Sequence, residues 1–178
     1  MDTSYPVRDI GQSTHSSNYH RRDNRPIGVC IHTTSGVNSV AYLQADKRAT
    51  NNVATADYLI DRQGTRYKLV PDGNYAYHVG KARWGAFTND LDRISEMYIG
   101  IELENLDNGL CTWQQHDSLA ELITGELMNK WLWAYPFDIV GHYELATPIG
   151  RRSDPLGFDW GFFWGYITAR MGFVQREK

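Results

Sequence analysis

Three residues of this sequence have the chemistry of metal ligands and follow segments that could hold them firmly. His32 lies near the end of the apolar run IGVCIHTT, and His142 directly follows FDIVG. Asp154 comes twelve residues after His142, and the proline behind it biases its backbone towards an extended conformation. Two imidazoles and one carboxylate around a zinc ion leave a fourth position for water. That arrangement is typical of a catalytic rather than a structural zinc site.

A plainer interpretation is that these three residues are solvated side chains on surface loops. Spacing alone does not exclude it, because the sequence contains no HExxH or other compact zinc motif. Three further histidines, His15, His20 and His116, are equally available, and we interpret them as surface residues. The metal hypothesis therefore depends on the elements that would bring the three candidates together.

The segments that would position these candidates have the patterns of β-strands. Residues 27–34 are apolar on both faces, which predicts a buried central strand. Residues 56–71 predict two strands joined by a turn at a Gln-Gly pair, and residues 97–105 alternate apolar and polar side chains. Residues 137–141 predict a further strand, so that His32 and His142 would each lie at a strand end, where side chains are held stiffly.

The strongest helical pattern covers residues 113–133. Thr112 and Gln115 predict a capping box at its start. A second helix is predicted over residues 157–172, although its glycines weaken the pattern. The apolar face of the first helix, at helical spacing, consists of Leu119, Leu122, Ile123, Leu127 and Trp131.

Alternating strands and helices with one hairpin predict an α/β fold, with a central mixed β-sheet flanked by α-helices. The length suits a single domain over residues 1–178. We expect its core at about residues 17–173, after an irregular lead-in at residues 1–16. The glycine-rich stretch 72–90 is also expected to be irregular.

Composition excludes several classes of protein. Of the 178 residues, 42% are hydrophobic and 22% are charged, which is typical of a globular domain. The net charge of −3 does not favour nucleic acid as a partner. No signal peptide or membrane-spanning run is visible, so we expect synthesis into the cytoplasm and no membrane partner. The two cysteines, Cys30 and Cys111, predict no disulfide scaffold, and we expect Cys30 to be a buried free thiol.

Four motifs in a fixed order carry a resemblance to a known family. They are IGVCIHTTSG, ATADYLIDRQGTRYKLVPDGNYAYHVG, YIGIELEN and IVGHYELATPIGRRSDPLGFDW. Together they resemble the type 2 N-acetylmuramoyl-L-alanine amidases, a family of zinc enzymes and related peptidoglycan recognition proteins. The resemblance covers roughly residues 17–165, and each motif contributes its own polar residue.

The resemblance implies a metal site with one zinc ion. His32 matches the first zinc ligand of the family, His142 the second and Asp154 the third. Family members that have lost catalysis typically lack the third ligand. Its presence here implies an active enzyme rather than a binding module.

Two further residues match catalytic positions of the family. Glu102 lies where the family places a carboxylate beside the zinc, and its implied role is that of a general base acting on water. Arg152 matches a position that is usually lysine, and its implied role is to stabilise an oxyanion. Arginine can supply charge and hydrogen bonds but no proton. We interpret Glu104 as a bystander and Arg151 as a solvated neighbour.

The resemblance also implies residues that contact the substrate. His78 matches a histidine of the family's cleft wall, and the residue before it, usually Trp, is Tyr77 here. Trp84 could add a stacking surface, but simple packing explains it equally well. Asp57, at a position where similar proteins often have His, receives no role.

The implied activity is hydrolysis of the amide between N-acetylmuramic acid and L-alanine, with peptidoglycan or a muropeptide as substrate. A phage endolysin, made in a host cytoplasm and acting later on the wall, is the biological role that we favour. A cytoplasmic amidase that recycles anhydro-muropeptides and a peptidoglycan-binding module without turnover are the alternatives. We expect the chain to be a monomer.

Overall fold

The apolar run of residues 27–34 forms the central strand, β3, Gly28–Thr33, as predicted. It lies between β9, Tyr98–Leu103, and β10, Asp138–Gly141, and both run parallel to it. Five of its six residues are buried, because other elements cover both of its faces. The protein is described by a computed structural model over residues 4–46, 55–88, 91–106, 109–133 and 138–174.

A six-stranded mixed sheet is built around this strand, in the order β1-β5-β4-β9-β3-β10. Its antiparallel pair, β4 with β5, is the hairpin predicted over residues 56–71, and Gly64 in its turn has a φ of +88°. Two small two-stranded sheets, β2 with β6 and β7 with β8, lie beside it. The remaining strands are β1 Val7–Asp9, β2 Tyr19–Arg21, β4 Tyr58–Ile60, β5 Arg66–Lys68, β6 Asn74–Ala76, β7 Arg83–Trp84 and β8 Phe87–Thr88.

Helices flank the sheet, so the predicted α/β fold is confirmed. The helix predicted over residues 113–133 is present, and its middle turns, Leu122–Leu127, are π-helical. Thr112 Oγ1 accepts from the Gln115 amide at 3.2 Å, and Gln115 Oε1 accepts from the Thr112 amide at 2.9 Å, which is the predicted capping box. The helices are α1 Ser39–Gln44, α2 Leu91–Met97, α3 Trp113–Glu121, α4 Met128–Trp131, α5 His142–Leu145 and α6 Trp160–Val174.

Alternation along β3 divides the core into two layers. Val29 and Ile31 face the larger layer, in which the buried side chains of α3 and α6 pack against the sheet. Cys30 faces the opposite layer, together with Tyr98 and Val140 from the neighbouring strands. His32 alternates in the same sense as Cys30, so it projects from the face of the sheet opposite the long helices.

Two regions expected to be irregular contain strands. In the lead-in, β1 pairs in parallel with β5 and forms one edge of the main sheet. In the stretch 72–90, β6 pairs with β2, and β7 pairs with β8. These strands have only two or three residues each, too few for an alternating pattern to be visible in the sequence.

His116 is buried, contrary to the expectation that it lies on the surface. It is only 1% exposed, and its ring stacks on Phe158 at a centroid distance of 4.6 Å. Its Nδ1 donates to Thr112 O at 2.7 Å, and its Nε2 accepts from the Asp159 amide at 3.1 Å. The ring therefore joins the start of α3 to the start of α6, a contact between segments more than forty residues apart in the chain.

The final helix, α6, is rich in apolar residues and ends the described chain. It begins three residues later than the predicted segment 157–172 and continues to Val174. Across the parts of the chain that the structure describes, no helix combines the length and apolar character needed to cross a bilayer.

Candidate active site

Three neighbouring parallel strands bring their carboxyl ends to one edge of the sheet, where ligands bind in open α/β folds. His32 is the penultimate residue of β3, and its backbone lies opposite Glu102 of β9 in the strand register. His142 immediately follows β10 and begins α5. Parallel pairing thus places two imidazoles and one carboxylate, far apart in the sequence, side by side.

Asp154 reaches this edge on the loop that follows α5. The Tyr143 amide donates to Asp154 O at 3.0 Å and ties the loop back to the helix. Asp154 Oδ2 then lies 3.0 Å from His142 Nδ1 and 3.3 Å from His32 Nδ1. The two imidazole Nδ1 atoms are 3.0 Å apart, so three potential ligand atoms converge on one point.

The donor set and its spacing fit a zinc ion. Zinc binds imidazole nitrogen and carboxylate oxygen at about 2.0–2.2 Å, and three atoms 3.0–3.3 Å apart can all lie at that distance from one ion. When both rings are neutral at Nδ1, three lone pairs face one another, and their repulsion is removed by a cation between them. Open space beside the set leaves room for a further ligand, as a catalytic site requires.

Cys30, His32 and His78 form a second group whose potential ligand atoms lie within 4.8 Å of one another. All three are buried, and burial raises the pKa of the Cys30 thiol well above its usual range. His78 Nδ1 also lies 2.9 Å from His32 Nε2, so its lone pair already has a partner. The set of His32, His142 and Asp154 is therefore the better metal site.

Burial and mutual charge determine the protonation of this set. Burial, with the neighbouring charge of His142, lowers the pKa of His32 to about 4. Burial alone would raise the pKa of Asp154, but the imidazoles of His142 and His32 beside the carboxylate hold it below its usual range. The set thus combines a neutral imidazole with an ionised carboxylate, the forms in which both groups ligate metals.

Glu102 is the candidate for a general base beside the ligand set. Its Oε2 is buried and has no hydrogen-bond partner among the residues that the structure describes. Burial, followed by the negative charge of Asp154, raises the pKa of Glu102 to about 8, while Arg152 opposes the shift. A raised pKa near neutrality suits a group that accepts a proton and returns it.

The two arginines of this loop differ in environment. Arg152 is exposed on the wall of the cavity. Arg151, expected to be solvated, is instead bound to backbone carbonyls: Nε donates to Thr147 O at 3.0 Å, and Nη2 donates to Val79 O at 3.1 Å and to Lys81 O at 2.5 Å. The expectation failed because two of these acceptors, Val79 O and Lys81 O, come from a segment some seventy residues away in the chain.

Three side chains were expected to contact the substrate, and the structure places them differently. His78 borders the cavity but is only 6% exposed, and it lies behind His32. Tyr77 lies against His20, with ring centroids 4.9 Å apart, and Trp84 packs edge-on to Tyr98 at 5.6 Å. Neither of these two borders the cavity: Tyr77 alternates with His78, and Trp84 packs in the core layer that contains Cys30 and Tyr98.

Asp57, which received no role from the sequence, is part of the support of the site. Its Oδ2 accepts from the Gly100 amide at 2.8 Å, and its Oδ1 lies 3.4 Å from Arg22 Nη2 in a buried ion pair. Burial raises the pKa of Asp57 to about 6, while Arg22 opposes the shift. In the sequence, the one signal of a special environment was an Asp at position 57, where similar proteins often have His.

The site opens into a cavity of about 820 Å³. Its inner end is formed by the ligand set and Glu102, and its outer end by Val37, Tyr42 and Leu106, which are more than half exposed. The cavity brings together six of the eight predicted site residues: His32, His78, Glu102, His142, Arg152 and Asp154.

Curated relatives of this chain are amidases by name. A curated relative, the 1,6-anhydro-N-acetylmuramyl-L-alanine amidase AmpD of Enterobacter cloacae, is 32% identical over 116 residues, which cover 65% of this chain. The chain spans 58% of that relative's length. The AmpD of Escherichia coli K12 is also 32% identical, over 113 residues, 61% of this chain and 56% of that protein.

Solved structures show the same fold. A selenomethionine derivative of AmpD has a TM-score of 0.68 at 23% identity, covering 94% of this chain and 96% of that one. A mutant endolysin from Bacillus subtilis has a TM-score of 0.64 at 15% identity, covering 92% and 99%. The family model described as N-acetylmuramoyl-L-alanine amidase matches residues 22–157, more than half of the chain. The chain therefore belongs to the type 2 N-acetylmuramoyl-L-alanine amidase family.

Proposed function

We propose that this protein is a zinc-dependent N-acetylmuramoyl-L-alanine amidase. The observation that carries the proposal is the convergence of His32 Nδ1, His142 Nδ1 and Asp154 Oδ2 within 3.3 Å, in a cavity that also contains Glu102. Family membership supplies the reaction class. The presence of all three ligands supports turnover over binding alone.

His32, His142 and Asp154 would hold one zinc ion. When bound, zinc lowers the pKa of a water molecule and polarises a carbonyl group, which is the chemistry that amide hydrolysis needs. The protein residues contribute a ligand set with one open side, which faces the cavity. An amide of the substrate would enter from that side.

Glu102 would accept the proton of the attacking water. A C–O bond then forms at the carbonyl carbon of the muramic acid lactyl group, and the C–N bond to L-alanine breaks. Glu102 returns the proton to the departing amine, so that the proton balance closes. Its unpartnered Oε2 beside the ligand set is suited to this transfer.

Arg152 would stabilise the negative charge that develops on the carbonyl oxygen. Its position on the cavity wall allows the guanidinium to donate hydrogen bonds to that oxygen. Arginine remains protonated at any working pH, so it does not serve as the acid. That task falls to Glu102.

Loss of the third ligand tests the proposal. The Asp154→Ala variant should lose both stoichiometric zinc and the release of L-alanine amino termini from a muropeptide. The exposed carboxylate of Asp23 provides a matched control, and Asp23→Ala should retain both. Wild-type protein that folds, contains zinc and releases no amino termini would overturn the amidase assignment, and muropeptide binding insensitive to a chelator would favour a binding module.

The source of the substrate is a separate question. The sequence relatives, named as 1,6-anhydro-N-acetylmuramyl-L-alanine amidases, favour a soluble anhydro-muropeptide. A phage endolysin acting on intact wall, the role favoured from the sequence, is the second candidate, since endolysins are among the proteins that share the fold. Initial rates on purified wall and on soluble anhydro-muropeptide, measured with one preparation, decide between them. Faster cleavage of the soluble substrate would eliminate the endolysin role.

A further inference from the structure

Two consecutive residues contact both ligand imidazoles on the side away from Asp154. His78 Nδ1 lies 2.9 Å from His32 Nε2. The next carbonyl, Val79 O, lies 2.8 Å from His142 Nε2. A single short segment thus holds the outer nitrogen of each ring whose inner nitrogen faces the metal site.

The direction of the first hydrogen bond follows from the other side of the His78 ring. His78 Nε2 lies 3.2 Å from Tyr98 O and 3.3 Å from Ser95 O. Carbonyl oxygens only accept, so His78 Nε2 carries the hydrogen. The Nδ1 atom of a neutral Nε2–H ring is an acceptor, so His32 Nε2–H donates to it. The Nδ1 lone pair of His32 is therefore free to bind a metal.

The ring of His142 is oriented by the Val79 carbonyl, which accepts two hydrogen bonds. Val79 O accepts from His142 Nε2–H and also from Arg151 Nη2 at 3.1 Å. The guanidinium binds Lys81 O and Thr147 O as well, so it fastens the segment after His78 to the loop that precedes Asp154. With its hydrogen on Nε2, a neutral His142 also directs the Nδ1 lone pair towards the metal site.

The packing around His78 leaves little freedom for its ring. A Cβ atom at Gly100 would lie 2.5 Å from His78 Cγ and 2.8 Å from His78 Nδ1. The glycine of β9 therefore makes the space in which the ring lies against the sheet. The His78 backbone amide is in addition 3.5 Å from Ser95 Oγ.

We infer that His78 and Arg151 are positioning residues that fix both ligand imidazoles as Nε2–H tautomers, with the Nδ1 atoms facing Asp154. His78 acts on His32 directly, and Arg151 acts on His142 through the Val79 carbonyl. This inference rests on the proposed metal site but not on the identity of the substrate. Outer hydrogen-bond partners of metal-ligating histidines commonly contribute about 10–100-fold to metal affinity.

The first test measures the tautomers directly. Long-range ¹H–¹⁵N correlation spectra of zinc-loaded protein should show His32 and His142 protonated at Nε2 and His78 protonated at Nε2. A His78 ring protonated at Nδ1, or a His32 ring ligating through Nε2, would overturn the inference. This readout is independent of any enzymatic activity.

The second test separates hydrogen bonding from packing. In His78→Asn the amide oxygen can occupy the place of Nδ1 and still accept from His32, whereas His78→Leu has no acceptor. Zinc affinity, measured by competition with a chelator, should fall by about 10–100-fold in His78→Leu and recover most of that loss in His78→Asn. Equal affinities in wild type and His78→Leu, or equal losses in both variants, would overturn the role of His78.

The Arg151→Met variant tests whether Arg151 orients His142 through the Val79 carbonyl. Because Val79 O remains available to His142, the loss of zinc affinity should be smaller than that of His78→Leu but still measurable. The cobalt-substituted protein should show a changed visible spectrum, which reports on ligand geometry. An unchanged affinity and spectrum would remove Arg151 from the inference. Failure of the wild type itself to bind zinc would instead contradict the proposed function, so the two failures are distinguishable.

Discussion

At the scale of single residues, the site combines the positive charge of Arg152 with a carboxyl group, Glu102, whose ionisation is disfavoured by burial. Arg152 lies on the cavity wall, and Glu102 is buried at its inner end, with a pKa raised to about 8 by burial and by Asp154. Each group can be altered without removing a metal ligand. Their proposed roles are therefore open to separate tests.

We predict that Arg152→Ala lowers kcat by about 10²–10³, because an oxyanion loses its charged donor, while zinc content is unchanged. Arg152→Lys should retain or raise activity, since lysine supplies the same charge at this position. Steady-state kinetics with metal analysis of each variant checks both. Full activity of Arg152→Ala would show that Arg152 does not stabilise the oxyanion.

Glu102 should also make the stability of the zinc-free protein depend on pH. Its folded pKa of about 8 exceeds the usual value of 4.5, so between these pH values the folded state binds a proton that the unfolded state lacks. The free energy of unfolding then falls by about 1.4 kcal/mol per pH unit as pH rises through this window. Urea unfolding of wild type and Glu102→Gln from pH 5 to pH 9, in a chelator, should show this extra slope in the wild type only. Parallel curves would contradict the prediction.

At the scale of elements, the carboxyl ends of β9, β3 and β10 create the site, and the packing of β9 maintains it. Gly100 in β9 donates its amide to Asp57 on one side and accommodates the His78 ring on the other. The strand therefore supports the site in two ways: it carries Glu102, and the lack of a side chain at Gly100 leaves space for the His78 ring. Helix α2, just before it, presents Ser95 O to the same ring.

Gly100→Ala should destabilise the fold by about 1–3 kcal/mol, because the new methyl group overlaps the His78 ring. Zinc affinity should fall as well, since the ring is displaced from His32. The matched control is Gly125→Ala in the π-helical turns, where a Cβ meets no atom within 4 Å and alanine should stabilise by about 0.5–1 kcal/mol. Denaturant unfolding and chelator competition measure both effects, and equal behaviour of the two variants would refute the steric argument.

At the scale of the whole molecule, one buried arginine joins the layers around the sheet. Arg22, just after β2, pairs with Asp57 and donates to the carbonyls of Asn74 in β6 and Glu96 in α2. Its guanidinium carbon also lies 5.7 Å from the centroid of the Trp131 ring. The N-terminal segment, the main sheet and the helix before β9 thus meet at one charge.

Arg22→Met should lower the free energy of unfolding by about 3–5 kcal/mol at pH 8, because it leaves the Asp57 carboxylate buried without its partner. The loss should be smaller at pH 5. There Asp57, whose pKa is about 6 and would rise further without Arg22, is protonated and needs no counter-ion.

The neighbouring Arg21, whose side chain is 88% exposed, provides the control. Arg21→Met should change the free energy of unfolding by no more than about 0.5 kcal/mol at either pH. Urea denaturation measures the change in the free energy of unfolding of each variant, relative to wild type, at pH 5 and at pH 8. A loss in Arg22→Met that does not depend on pH would show that packing, not the charge pair, accounts for it.

The sequence by itself determined the family, the mixed α/β sheet, the central strand, the hairpin and the capped helix, and these predictions are confirmed. Each of them depends on periodicity, caps or motifs, which are local properties of the chain. The assignment of His32, His142, Asp154 and Glu102 as site residues came from matching motifs. Their roles as ligands and base stay predictions, although the structure brings their side chains together.

Only the tertiary structure decided how these residues are supported. Arg151 binds carbonyls some seventy residues away, His78 lies behind His32, and Asp57 pairs with Arg22. These contacts join segments that share no local sequence pattern. Which atom donates each hydrogen bond depends on the carbonyl or ring nitrogen that the partner segment presents. Local patterns cannot encode such pairings, because hydrogen-bond partners are selected only when distant strands and loops pack against one another.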